Sequence, residues 1–301
     1  MHAPATAHDL FAAYEAVRAH WPTCPVAAGW QRLPDLAALA PQFDAFCLDA
    51  FGVLNIGQTP IAGARERLAA LQRLGKPVLV VSNAAAVPSA QIVERYQAMG
   101  FALPAQQWLT SRDVMVQAMT RWPMRRWGVV APAGTDVSDL PAGTLVLNDA
   151  HADWDAVEGF VLLSALEGDA ATRQRLRDAL RRHARPVLVP NADLASPHES
   201  GFRLEPGALA HWLQQEAGIE PQWFGKPFAP IFAAALQRLG LEAAPQRVLM
   251  VGDTLHTDVL GGRCAGMATA LVVGQGASAG LPWTTAIARS GIVPDYVIDR
   301  I

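Results

Sequence analysis

The chain is punctuated by short, almost unbroken apolar runs that each end on a polar residue or a glycine. They are "AFCLDA" at 45–50, "PVLVVSN" at 77–83, "RVLMVGD" at 247–253 and "ATALVVG" at 268–274. Runs of this length and texture are strands covered on both faces, and such strands belong to parallel sheets with helical crossovers. Helical patterns lie between them as required. "AGARERLAALQRLG" (62–75) puts Leu68, Leu71 and Leu74 on one face with Gly75 as its stop, and "SAQIVERYQAMG" (89–100) ends at Gly100. "VPDYVIDRI" (293–301) supplies a last strand. The alternation predicts an α/β fold on a parallel sheet.

The middle has its own strands, "RWGVVA" (126–131), "TLVLND" (144–149), "GFVLLSA" (159–165) and "PVLVP" (186–190), around a charged helix "ATRQRLRDALRRHA" (171–184). It reads as a second α/β unit, 106–194, inserted into a core of 1–105 and 195–301, with 1–40 as a helical N-terminal extension. A length of 301 residues suits two domains. The net charge of −3 argues against nucleic acid or an anionic membrane as partner. No apolar run approaches the roughly 20 residues of a membrane span. The start, "MHAPATAHDLFAAYEAVRAHW", lacks a basic lead and an apolar core, and reads as an amphipathic helix. Cys24, Cys47 and Cys264 lie far apart without metal-like spacing. A cytoplasmic protein is expected.

In open parallel sheets ligands bind beyond the carboxyl ends of the strands. Asp49 ends the first run, Ser82 and Asn83 the second, and Asp253, with Asp258 five residues on, follows "RVLMVG". Lys226, in "FGKPFAPIFAAALQRLG", precedes a helix. The 24 basic residues include only two lysines, Lys76 and Lys226, so a retained ammonium hints at a need for a compact cation. Singly, each group has an ordinary reading as a turn, a cap or a solvated charge. Together they form a kit for phosphoryl transfer: a carboxylate nucleophile, carboxylates for Mg²⁺, and a lysine and hydroxyl for phosphoryl oxygens.

The ordered pieces "CLDAFGVL", "LVVSNAAAVPS", "GKP" and "VLMVGDTLHTDVLGGRCAG" resemble the haloacid dehalogenase-like hydrolase superfamily, mostly Mg²⁺-dependent phosphatases. The insert, ending in "VPNADL", resembles that of the class IIA branch, which includes nucleotide, pyridoxal-phosphate and sugar-phosphate phosphatases. The resemblance implies a Rossmann-like core with an inserted C2-type cap and a small phosphorylated metabolite as substrate. It makes Asp49 the nucleophile and a metal ligand, with the backbone carbonyl of Phe51, Asp253 and Asp258 completing the Mg²⁺ site. Ser82 and Asn83 would contact the phosphoryl group, and Lys226 would balance charge. Asn191, Asp193, His198 and Arg203 would be substrate contacts from the cap. A homodimer through the cap is compatible with the resemblance.

One position departs from the pattern. Most phosphatases of the superfamily carry aspartate two residues after the nucleophile, where this chain has Phe51. General acid–base help is worth about 10² to 10⁴ in rate. Four readings stay open: another proton donor (Asn55, His256 or His198), a substrate with a good leaving group, dehalogenase-like chemistry, or a weakly active or non-catalytic phosphate-ligand binder. Of the remaining signals, Gly274-x-Gly276 reads as a loop. His151 with Asp149 and Asp153 reads as a polar loop that could hold a cation. The tryptophans concentrated around the insert read as core packing.

Overall fold

The computed structural model describes residues 2–25, 29–122, 125–147, 153–199 and 201–301. The pairing of His151 with Asp149 lies outside them. Seven parallel strands form one sheet, in the order Gln31–Asp35, Tyr296–Arg300, Ala268–Val272, Val248–Gly252, Ala45–Leu48, Val78–Ser82 and Trp108–Thr110. Alternate residues of its fifth strand, Ala45–Leu48, serve opposite faces. Phe46 and Leu48 join the core beneath helices Ala64–Arg73 and Ser89–Ala98, whereas Ala45 and Cys47 join the core against Ala229–Leu239. Both faces are dry, which is why these runs show no polar alternation.

Chain order reverses at Ala45–Leu48. Val78–Ser82 lies on one side of Ala45–Leu48 and Val248–Gly252 on the other. The carboxyl ends of these three strands therefore open a crevice, and they carry Asp49, Ser82, Asn83 and Asp253.

A second sheet of five parallel strands runs Gln222–Trp223, Val187–Val189, Gly159–Leu162, Trp127–Val130 and Leu145–Val146. Trp127, Val129 and Val161 pack toward the first sheet's core, and Val130, Phe160 and Leu162 pack under the second sheet's own helices, Ala170–Arg182 and Pro206–Ala217. Sheet membership differs from the 106–194 insert read in the sequence. Trp108–Thr110 and the helix after it, Ser111–Met119, belong with the first sheet, while Pro206–Ala217 and Gln222–Trp223, beyond 194, belong with the second. A strand of two or three residues carries too little periodicity to be assigned from sequence.

The N-terminal segment also differs from a purely helical extension. Helix Ala7–Val17 is followed by the edge strand Gln31–Asp35, whose Pro34 suits an edge position. The helix packs where the two sheets meet. Leu10, Phe11, Tyr14 and Trp21 share a cluster with Leu255 and Val259 of the core and with Leu194 and Ala195. The Tyr14 hydroxyl accepts from the Leu194 N–H at 3.3 Å, and Trp21 Nε1–H donates to His211 Nε2 at 2.9 Å. Among the described residues no helix is long and apolar enough to cross a membrane.

Candidate active site

Asp49 follows directly on the buried strand Ala45–Leu48, its own N–H bonded to Val251 O at 2.8 Å. One side-chain oxygen accepts from Ala50 N–H at 2.7 Å and lies 2.6 Å from Lys226 Nζ. Lys226 Nζ also reaches Asp258 Oδ1 at 2.8 Å. Three carboxylates converge here: Asp49, Asp253 and Asp258 each offer an oxygen within 4.8 Å of the others. They come from residues 49, 253 and 258, brought together by the parallel pairing of Ala45–Leu48 with Val248–Gly252.

Asp258 owes its position to a π-type turn, Leu255–Val259, which adds a residue between Asp253 and Asp258 relative to an α-helical turn. Thr254 N–H donates to its Oδ2 at 3.1 Å. Asp253 is braced from the loop that the sequence reading set aside. Ala277 N–H donates to Asp253 Oδ2 at 2.6 Å and Ser278 Oγ–H to the Asp253 carbonyl at 2.5 Å. Gly52 and Gly276 press on the same carboxylate, since a Cβ at either would lie 1.7 or 2.0 Å from Asp253 Oδ2. Both have positive φ, 82° and 69°, so each is needed for backbone shape as well as for room.

Crowding three acids in a buried crevice has an electrostatic consequence. Burial, reinforced by Asp258, pushes the Asp49 carboxyl up to about 7 against the pull of Lys226. Burial, then Asp49 and Asp258, push Asp253 up to about 8. Burial alone would discharge Lys226, but Asp258, Asp49 and Asp193 outweigh it and hold the ammonium charged. A single ammonium against three carboxylates leaves negative charge uncompensated. An all-oxygen donor set of this charge fits a hard divalent cation.

Asn83 joins the two halves of the site. Its Oδ1 accepts from Lys226 N–H at 2.7 Å, and its Nδ2 donates to the Lys226 carbonyl and to Asp193 Oδ1, both at 3.0 Å. Ser82 Oγ accepts from Ala84 N–H at 3.2 Å, which leaves its proton for a ligand. A cavity of about 140 Å³ touches Asp49, Phe51, Ser82, Asn83, Asn191, Asp193 and His198, and also Arg95, Ser196 and Glu205, which the sequence reading missed. Asn191 is occupied within the cleft wall, donating to Glu205 Oε2 at 2.9 Å and accepting from Asp193 N–H at 2.9 Å. Arg203 does not line this cavity. It is exposed and lines an adjoining cleft of about 510 Å³ with His198 and Glu205.

Two residues considered as substitutes for the missing carboxylate at 51 are engaged elsewhere. Asn55 is buried, accepting from the Tyr96 hydroxyl at 2.5 Å and donating to Gly57 O at 2.8 Å. His256 pairs with Glu15 at 2.6 Å and stacks on Tyr14, within the N-terminal helix contact. His198 does approach, its ring centroid 5.9 Å from that of Phe51. Lys76, the other lysine, donates to Phe43 O at 2.7 Å and is structural.

Two family models match the chain, one described as haloacid dehalogenase-like hydrolase over residues 46–137 and one as HAD-hydrolase-like over 223–301. The chain belongs to the haloacid dehalogenase-like hydrolases. Among similar proteins, the acid sugar phosphatase of Staphylococcus aureus is 27% identical over 229 residues, 76% of this chain and 85% of the relative. The solved p-nitrophenyl phosphatase of Archaeoglobus fulgidus is 27% identical with a TM-score of 0.71, covering 86% of this chain and 97% of its own. A possible sugar phosphatase of Cytophaga hutchinsonii is 26% identical with a TM-score of 0.78, covering 90% and 98%. The last two neighbours support the class IIA branch of the haloacid dehalogenase-like hydrolases, and E. coli NagD, 22% identical with a TM-score of 0.66 and covering 86% of this chain and 97% of its own, shares the fold.

Proposed function

We propose that this hydrolase is a Mg²⁺-dependent phosphatase of a small phosphorylated metabolite, working through an aspartyl-phosphate at Asp49. The observation that carries the reading is the convergence of Asp49, Asp253 and Asp258 around Lys226 at one crevice. Asp49, the Phe51 backbone carbonyl, Asp253 and Asp258 would hold the ion. When bound, Mg²⁺ would offset the charge of the carboxylates and of the phosphoryl oxygens. Asp49 Oδ attacks phosphorus, Lys226 favours the ionised carboxylate and neutralises the transferring group, and Ser82 orients it. Asn83, expected as a phosphoryl contact, has both amide hydrogens taken by the Lys226 carbonyl and Asp193, and acts by holding Lys226 in place. Water then releases phosphate from Asp49.

The second sheet with its helices serves as the cap, and the hairpin Ala195–His198 with Gly201–Leu204 meets the small core hairpin Asn55–Ile56 with Thr59–Pro60 through Gln58 N–H donating to Glu199 Oε1 at 2.7 Å. The phosphatase activities named for the relatives support the same class of reaction. Displacing halide from carbon needs no cation, so the acidic triad disfavours dehalogenation. The test is hydrolysis of 4-nitrophenyl phosphate with Mg²⁺. Chelation should stop it and Asp49→Asn should abolish it; activity that survives either change refutes the reading.

A further inference from the structure

A phosphatase with Phe51 must find its proton donor elsewhere, and the cavity has two carboxyls besides Asp49: Asp193, which Asn83 Nδ2 holds at 3.0 Å and which lines this cavity alone, and Glu205, which also lines the wider clefts where a leaving group would extend. In the antiparallel hairpin Ser196 lies opposite Arg203 and His198 opposite Gly201, so Ser196, His198 and Arg203 share one face. Ala195 and Phe202, on the other face, join the apolar cluster with the N-terminal helix. Glu205 continues the polar face two residues beyond Arg203. It lines the cavity that holds Asp49 and Phe51, the adjoining cleft of about 510 Å³, and a further cleft of about 480 Å³ beside Gln91, Asp136 and Ser164. Glu205 thus stands on the wall shared by the cavity at Asp49 and the clefts into which a leaving group would extend.

Its geometry is fixed from two sides. Ser196 Oγ–H donates to Oε1 at 2.5 Å and Asn191 Nδ2–H donates to Oε2 at 2.9 Å. His198 Nε2 in turn lies 3.3 Å from Ser196 Oγ.

We propose that Glu205 performs the proton transfers that Phe51 cannot. The inference rests on the phosphatase reading and deepens it. As Asp49 Oδ forms its bond to phosphorus and the bond to the leaving oxygen breaks, the Glu205 carboxylic acid gives its proton to that oxygen. In the second step the Glu205 carboxylate takes a proton from water as the water oxygen bonds to phosphorus and the Asp49–phosphorus bond breaks. Phosphate leaves, Asp49 is again a carboxylate, and Glu205 is again protonated. Ser196 and Asn191 are positioning residues.

Burial pushes the Glu205 carboxyl up to about 7, against the pull of the Ser196 hydrogen bond and Arg203 and with help from Glu167. A group that must give and then take a proton near neutrality works best in that range.

The experiment compares wild type, Glu205→Gln, Phe51→Asp and Phe51→Asp/Glu205→Gln, with Asp49→Asn as the control for the parent reading. Substrates are glycerol phosphate, an alkyl ester, and 4-nitrophenyl phosphate, an aryl ester, each with Mg²⁺. Glu205→Gln should lower kcat on the alkyl ester by about 10² or more. On the aryl ester it should give a burst of nitrophenolate, one per site, followed by slow turnover, because the first step no longer needs an acid and the second still needs a base. The double variant should regain alkyl turnover, since the carboxylate returns at position 51, and this separates proton transfer from misfolding. The proposal is overturned if Glu205→Gln keeps both activities within a few-fold of wild type while Asp49→Asn is dead. It is equally overturned if Glu205→Gln is impaired but Phe51→Asp restores nothing. Activity in Asp49→Asn instead removes the phosphatase reading itself.

Discussion

The Asn83 side chain grips the Lys226 backbone on both sides of its Cα: the Lys226 N–H donates to Asn83 Oδ1 at 2.7 Å, and its carbonyl accepts from Asn83 Nδ2 at 3.0 Å. The side chain that ends one strand thereby sets the backbone that aims the ammonium at Asp49. Asn83→Ala strands a buried donor and a buried acceptor, at about 1–3 kcal/mol each. The expected result is a melting temperature lower by several degrees and at least a tenfold loss in kcat, read by thermal unfolding and 4-nitrophenyl phosphate turnover.

Lys226 sits 2.6 Å from Asp49 and 2.8 Å from Asp258 with a side chain 1% exposed, so the site has room for a compact ammonium only. Lys226→Arg should therefore fail to rescue activity, falling about as far as Lys226→Met, on the order of 10²-fold or more. An arginine variant with near wild-type kcat would contradict this account of the site.

The raised acids make cation binding pH-dependent. Asp49 and Asp253 stand at about 7 and 8, above an ordinary 3.8, so the stability they contribute is whole below pH 3.8 and is lost as pH rises from there to the raised values. A cation binds the ionised forms and reverses the loss. Mg²⁺ should raise the melting temperature more at pH 8.5 than at pH 6, with proton release on binding seen in buffers of different ionisation enthalpy. Equal shifts at both values would count against the three acids as ligands.

Acid should loosen the N-terminal helix contact. Burial drives His211 and His256 down to about 4 from an ordinary 6.5. Both are depressed bases, so the unfolded chain protonates first: their contribution is complete above pH 6.5 and declines toward pH 4. His211→Gln should flatten the fall of melting temperature across that window; an unchanged slope would exclude His211 as a contributor.

Gly52→Ala places a methyl 1.7 Å from Asp253 Oδ2 on a backbone with φ of 82°. The carboxylate must move, and the Mg²⁺ concentration for half-maximal activity should rise by about tenfold or more. Gly63→Ala, also at positive φ but with open space around it, should leave that concentration unchanged.

What could be read in advance follows from where the physics is local. Asp49, Ser82, Asn83 and Asp253 end strands that announce themselves as apolar runs, and Lys226 stands out because lysine is so scarce. Glu205 and Ser196 gave no such signal. Their pairing depends on hairpin register across nine residues of mixed polarity, a tertiary fact without periodicity. The brace on Asp253 was hidden for a similar reason, since Gly276 and Ala277 look like any loop until the loop is folded against residue 253. The edge strand Gln31–Asp35 was hidden because it is mostly exposed and carries proline.

The helix Ala7–Val17 and Trp21 fasten at once to the first sheet through Glu15 and His256 and to the second sheet's side through Leu194 and His211. Any swing of one sheet away from the other must drag on that tether. The aperture of the crevice is thus governed partly from the beginning of the chain, by side chains that never meet a substrate, and trimming them would change how widely and how often the cleft opens while leaving every acid and the lysine in place.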